Sequence, residues 1–341
     1  MNSKARLFAF LAAWSGHARG LFRERFVDVA TSRGPSRVRC VEPAWPHRGD
    51  LPVAVFVHGM SLHGERDPRQ DAFCEALACA GFRVLAPRID EVAALRFGSE
   101  SVDEIEAFVE GVCGDRVLCP AGRTAVLSVS FSAAATLIAS ARPRLRDRVS
   151  VALVLGGYCD VRLCVEQLLT VARDDYGRLL GLKNFLRFAG ESTPGLDEAL
   201  RRMCEDNVAG LPESSRVARA RELPDAERAV LEALLSSVEA RKALLARAFA
   251  RTPDLWDLLD LAPALETLRF PVAIVHGAGD EVIDVEHAHL LAAELRARGV
   301  PHRLCVTPLV DHGTRKGLLD AGLAIVDLAQ CVSFFLTHAA A

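Results

Sequence analysis

A chain of 341 residues, half of them apolar, can bury a large core as one big domain or as a domain with an insertion. Its formal net charge of −3 excludes the basic field that nucleic-acid binding needs, and no apolar run is long enough to span a bilayer. Ten cysteines without a single Cys-x-x-Cys pair exclude the usual zinc and dithiol redox spacings. In a chain of this size they are expected to be free core thiols in a reducing, cytoplasmic setting.

In chain order, Lys4 and Arg6 precede an apolar run over 7–14 that ends on Trp14. The run is short for a signal peptide, and no Ala-x-Ala cleavage site follows it. It is expected to be an amphipathic helix that docks on the body or makes weak contact with a membrane surface. Export or membrane association through residues 1–20 is the alternative localisation.

The rest alternates between strand and helix. Candidate strands cover 26–30, 38–41, 53–57, 83–86, 124–129, 149–155, 272–275 and 303–306, and the inner ones are near-continuous apolar runs, as in parallel strands covered on both faces. A helix with Asp67 as N-cap and Pro68 at its first position closes at Gly81, and another runs from Asp284 to Gly299. This alternation predicts a doubly wound, mostly parallel eight-stranded α/β sheet with ligands at the carboxyl ends of its strands. Residues 1–50 then supply an N-terminal helix and edge strands, and 51–156 and 266–341 the two parts of the core. Between these parts, 157–265 has helical periodicity, as at Leu231, Leu234, Leu235 and Val238, and is expected to form a helical lid. A loop is expected within it at Thr193-Pro194-Gly195.

Four short blocks at strand ends carry chemistry. In Ser128-Val129-Ser130-Phe131-Ser132 an apolar strand runs into small residues, the pattern of a nucleophile elbow in which a sharp strand-to-helix turn presents Ser130. The usual flanking glycines are replaced by Ser128 and Ser132. Choosing Ser132 as nucleophile would move the turn two residues into the helix, so Ser130 is preferred.

A serine also needs a base, a carboxylate that orients the base, and donors for the oxyanion. His312, in Val310-Asp311-His312-Gly313, supplies the base. Asp280, in His276-Gly277-Ala278-Gly279-Asp280, supplies the acid, with Asp160 after the sixth strand as an alternative that otherwise reads as a helix cap. The backbone N–H groups of Met60, in His58-Gly59-Met60, and of Phe131 supply the oxyanion hole. His58 and His276 read as hydrogen-bonded structural residues. His287 and His289 face different sides of a helix and make a poor metal pair. No metal, cofactor or nucleotide site is expected.

On these blocks the chain resembles the α/β-hydrolase superfamily over about residues 51–341, and within it bacterial serine esterases with a helical lid. The resemblance implies Ser130 as nucleophile, His312 as general base and Asp280 as orienting acid. The expected substrate is a small to medium hydrophobic carboxylic ester, with Phe185, Leu186, Phe188, Trp256, Leu258 and Leu259 of the lid as residues that either line its pocket or pack the core. Two alternatives stay open: a non-catalytic binding module, to which the missing elbow glycines point, and an acyltransferase or peptidase using the same triad. The sequence says nothing of oligomeric state.

Overall fold

The structure, a computed structural model, describes residues 1–16, 20–45, 50–171, 174–310 and 324–340. In chain order the elements are α1 (Ser3–Trp14), β1 (Phe22–Thr31), β2 (Gly34–Pro43), β3 (Val53–Val57), α2 (Pro68–Cys79), β4 (Arg83–Ala86), α3 (Asp90–Ala93), α4 (Ser99–Gly114), β5 (Thr124–Val129), α5 (Phe131–Ala141) and β6 (Val149–Leu155). There follow α6 (Val161–Thr170), α7 (Asp175–Ala189), α8 (Pro194–Val208), α9 (Glu213–Arg221), α10 (Asp225–Ser236), α11 (Val238–Arg251), α12 (Pro253–Leu259) and α13 (Ala262–Thr267). The chain returns to the sheet with β7 (Val272–Gly277), α14 (Glu286–Ala297), β8 (His302–Thr307) and α15 (Ala324–Ala339).

All eight strands join one sheet in the order β1-β2-β4-β3-β5-β6-β7-β8. Strand β2 is antiparallel to β1 and to β4, and every other pairing is parallel. The inner strands alternate between two cores because successive side chains point to opposite faces. Val53, Val55, Val126, Val272 and Ile274 pack with α4, α5, α14 and the helices after β6. Ala54, Phe56, Leu127, Ala273 and Val275 pack with α1, α2 and α15 on the other face. Helices on both faces make the sheet doubly wound.

The edge hairpin is longer than the sequence suggested. Charged residues interrupt its apolar pattern, but they are paired across it: buried Glu42 meets Arg23 at 2.8 Å, Arg25 at 3.2 Å and Arg83 at 3.1 Å. Helix α1 docks on α2 and α15, burying Phe10 and Trp14. Its Arg6 Nη1 donates to the Ala80 carbonyl at 2.8 Å near the end of α2. Among the described residues no helix is long and apolar enough to cross a membrane. All ten cysteines are buried free thiols.

Two details of the helical segment correct the sequence reading. Thr193-Pro194-Gly195 starts helix α8: Thr193 accepts the Leu196 N–H at 3.1 Å and Pro194 takes the first helical position, where its fixed φ is an advantage. The periodic run 231–238 is split between α10 and α11 at Ser237, whose hydroxyl caps α11 through the Ala240 N–H. Helices α12 and α13 pack back on α5, and α12 also on α4.

Candidate active site

Strand β5, buried along nearly its whole length, delivers the chain to Ser130 at φ 59°, ψ −137°. Among the described residues only Ser130 and Leu95 combine a side chain with positive φ. Such a conformation costs about 1–3 kcal/mol and persists only where its surroundings impose it. Here the Ser130 N–H donates to the Leu155 carbonyl of β6 at 2.8 Å, and the Ser130 carbonyl accepts from Ala133 at 2.9 Å as α5 begins. The strand-to-helix turn of a nucleophile elbow is therefore formed at Ser130 rather than at Ser132, which lies inside α5 and is buried.

The flanking serines fit without glycine. Ser128 and Ser132 are 1% and 2% exposed, and neither hydroxyl has a hydrogen-bond partner among the described residues. Close approach falls elsewhere: a Cβ on Gly157, just past β6, would stand 2.5 Å from the Cβ of Ala133. Gly59 lies at ordinary contact distance, its Cβ position 3.5 Å from the Ser130 Cβ. The backbone of the 58–60 loop thus runs directly beside the elbow.

His58 fixes that loop. It is fully buried, its Nε2 accepts the Ile89 N–H at 3.1 Å, and its Nδ1 lies 2.8 Å from the Gly59 carbonyl. Since Nε2 accepts, the proton is on Nδ1 and is donated to Gly59. Burial lowers the His58 pKa, which keeps this neutral tautomer. In a planar trans peptide the Gly59 C=O and the Met60 N–H point in opposite directions. Holding the carbonyl on His58 therefore turns the Met60 N–H away from the histidine.

Phe131 opens α5, where the first N–H groups have no intrahelical acceptor and the helix dipole favours negative charge. Its ring stacks on Phe97 with centroids 4.9 Å apart and packs against Tyr158 at 5.3 Å.

Past β7, the Asp280 side chain is wholly buried. Its Oδ1 accepts the N–H groups of Val282 at 2.9 Å and Ile283 at 3.0 Å, and its Oδ2 stands 3.6 Å from His276 Nε2. That histidine nitrogen is 2.8 Å from the Ile283 carbonyl, an acceptor, so Nε2 carries a proton. Asp160, the alternative acid, caps α6 through the Leu163 N–H at 3.0 Å and is exposed. His312 and its neighbours Asp311 and Gly313 lie outside the described residues. Val310 lines the same cavity as Ser130.

That cavity, of about 970 Å³, is bordered by Gly59, Met60, Ser130, Phe131 and Val310. One end is polar: Ser61 donates to Asp67 at 2.6 Å and Arg69 spans Asp67 with bonds of 2.9 and 2.7 Å. Burial alone would raise the Asp67 pKa, but the Arg69 and Ser61 hydrogen bonds outweigh it and hold the carboxylate at about 2. Apolar side chains of Leu62, Phe73, Leu180, Val208 and Val282 and Trp14 of the N-terminal helix form much of the remaining wall, together with Asp174, Tyr176 and Glu281.

Of the two readings open for the apolar residues of the helical segment, their contacts show core packing. Phe185 stacks on Trp256 at 5.3 Å and 16°, Phe188 and Phe249 meet Trp256 edge-on, and Phe185, Leu186 and Trp256 are fully buried. Leu258 packs against this core as well, and Leu259 is buried in it. Sequence reasoning missed the wall residues Trp14, Phe73 and Tyr176. Single aromatic positions give no sign of facing a void rather than a core. His287 is buried, accepting from the Cys159 N–H at 3.4 Å and meeting Gln167 at 3.1 Å, whereas His289 is exposed.

No family model and no curated relative matches the sequence. Among solved structures, a bacterial brefeldin A esterase superposes with a TM-score of 0.56 at 16% identity, covering 99% of this chain and 86% of its own. An esterase of Pyrococcus furiosus gives 0.51 at 12%, covering 95% and 94%. The acylaminoacyl peptidase of Pyrococcus horikoshii gives 0.50 at 12%, and there the match covers 95% of this chain but only 41% of the peptidase. The eight-stranded, mostly parallel sheet matches these structures in the α/β-hydrolase fold, and in this chain the strained Ser130 stands at the end of the fifth strand.

Proposed function

We propose that the protein is a serine hydrolase that cleaves a small to medium hydrophobic carboxylic ester through an acyl-enzyme on Ser130. The observation that carries this reading is the positive φ of Ser130 at a strand-to-helix turn bordering a cavity that Met60 and Phe131 also line. Such strain is retained where the hydroxyl must be presented.

His312 takes the Ser130 proton as Oγ attacks the ester carbonyl, and buried Asp280 orients the histidine and balances the charge it gains. The carbonyl oxygen becomes an oxyanion received by the Met60 and Phe131 amides, which are fixed before reaction and so lose little in reorganisation. As the tetrahedral intermediate collapses, His312 returns the proton to the departing alkoxide. Water then attacks the acyl-enzyme by the same route, its proton going to His312 and onward to Ser130. The wall of Leu62, Phe73, Leu180, Val208 and Val282 favours apolar acyl and alcohol groups, and about 970 Å³ lies at the upper end of the few hundred to ~1,000 Å³ typical of ligand sites. Esterases and an acylaminoacyl peptidase among proteins of this fold agree with hydrolysis at a carbonyl.

The test is a panel of p-nitrophenyl esters from acetate to decanoate alongside the matching p-nitroanilides, with and without an added alcohol acceptor. Ester turnover with short and medium chains preferred, and no competition by the acceptor, is the expected result. Turnover of the anilides alone, or acyl transfer outrunning hydrolysis, would replace the ester reading.

A further inference from the structure

Helix α7 touches the oxyanion loop and the segment behind Phe131 at two separate points. At its start the Tyr176 hydroxyl donates to the Met60 carbonyl at 3.1 Å, and Tyr176 itself lines the cavity. Two turns on, fully buried Asn184 accepts the Phe97 N–H at 3.1 Å through Oδ1 and donates to the Leu95 carbonyl at 3.0 Å through Nδ2. Leu95 is the other described side-chain residue at positive φ, so this loop also holds an unfavourable conformation that Asn184 supports. Arg187 adds a bond to the Phe97 carbonyl at 2.7 Å. The Phe97 ring so fixed is the one stacked on Phe131.

The start of α7 is itself firmly seated. Asp174 caps it through the Gly177 N–H, and a Cβ on Gly177 would stand 2.8 Å from Leu168 and 3.1 Å from Val282, the residue whose N–H holds Asp280. Peptide 59–60 is pinned on one side by His58, and the next carbonyl is pinned on the other by Tyr176.

We propose that α7 positions both donors of the oxyanion hole, Tyr176 acting on Met60 directly and Asn184 acting on Phe131 through Phe97. Both are positioning residues, and the inference rests on the serine-hydrolase reading above. Because the hole is needed only as negative charge develops, loosening it lowers turnover while leaving ground-state binding in place. Removing an oxyanion donor outright costs roughly 100-fold to 1,000-fold, so loosening one is expected to cost on the order of 10-fold.

The experiment compares wild type with Tyr176→Phe, which keeps the ring and removes only the hydroxyl, and with Asn184→Leu. The readouts are kcat and KM for p-nitrophenyl butyrate, the rate constant for labelling by a small alkyl fluorophosphonate, and the thermal midpoint. For Tyr176→Phe we expect kcat to fall about 10-fold with KM within about 2-fold, and labelling to slow by the same factor, at a midpoint close to wild type. Asn184→Leu should lower turnover and labelling too, together with the midpoint. A rise in KM at unchanged kcat for Tyr176→Phe would make Tyr176 a substrate contact and overturn the proposal. Unchanged turnover and labelling in Tyr176→Phe, beside a reactive wild type, would overturn it and leave the hydrolase reading standing. A wild type that neither turns over nor labels would remove the hydrolase reading, and this inference with it.

Discussion

The turn after β5 and the helical segment after β6 solve different problems. At the elbow the backbone is held in an unusual form: Ser130 sits at φ 59°, Gly157 lets the chain after β6 approach α5, and two buried serine hydroxyls lack partners among the described residues. The helical segment is instead packed largely on itself. Its aromatic residues bury one another around Trp256, and it reaches the cavity through Leu168 of α6, Tyr176, Gly177 and Leu180 of α7 and Val208 of α8. Among the described residues, positive φ on a residue with a side chain occurs only at Ser130 and at Leu95, beside the proposed chemistry, while aromatic packing holds the element that supports it.

The largest effect that would break this contrast is at the elbow. Ser130→Ala should lower ester turnover by several powers of ten, with residual activity left to the oxyanion hole and binding, and steady-state kinetics on the same p-nitrophenyl esters measure it. Retention of near-full activity would remove the distinction between the two regions. In the helical segment the dominant effect should be on stability. Trp256→Ala empties a fully buried aromatic site and is expected to cost about 3–5 kcal/mol in denaturant unfolding. A change confined to KM, with stability intact, would instead return Trp256 to the substrate pocket.

A smaller effect is expected at His287, which ties α14 to the chain entering α6 through Cys159 and to α6 itself through Gln167. Burial lowers its pKa from 6.5 to about 4. The unfolded chain therefore binds a proton that the folded chain refuses between these values, so stability falls as pH drops from about 6.5 towards 4 and this contribution levels off below that. The loss amounts to on the order of 3 kcal/mol at most. Thermal midpoints across this range should decline less steeply in His287→Gln. An unchanged slope would show that His287 does not set the acid limit.

The smallest expected effect sharpens the elbow assignment. Ser132→Ala deletes a buried hydroxyl without a partner and should stabilise by about 1 kcal/mol. It should keep esterase activity, because Ser132 lies inside α5. Loss of activity in that variant would move the nucleophile two residues.

The sheet was legible in the sequence because its inner strands are continuous apolar runs, and β3, β4, β5 and β6 begin and end where those runs do. The edge hairpin was underestimated because Arg23 and Arg25 each pair with buried Glu42 across it, a relation that only the cross-strand register reveals. Ser130 and Asp280 stood out as polar residues at strand ends. The use of the helical segment did not, since Phe185 and Trp256 have the same spacing whether they face a ligand or each other. Tyr176 and Asn184 act through contacts more than 80 residues away in sequence, and no local pattern announces them.

The most direct test of the central claim is the intact mass of the protein after incubation with a small fluorophosphonate, repeated on Ser130→Ala. The account predicts a single adduct on the wild type that is absent from the variant. No adduct on folded wild-type protein, or one that persists in the variant, would contradict it.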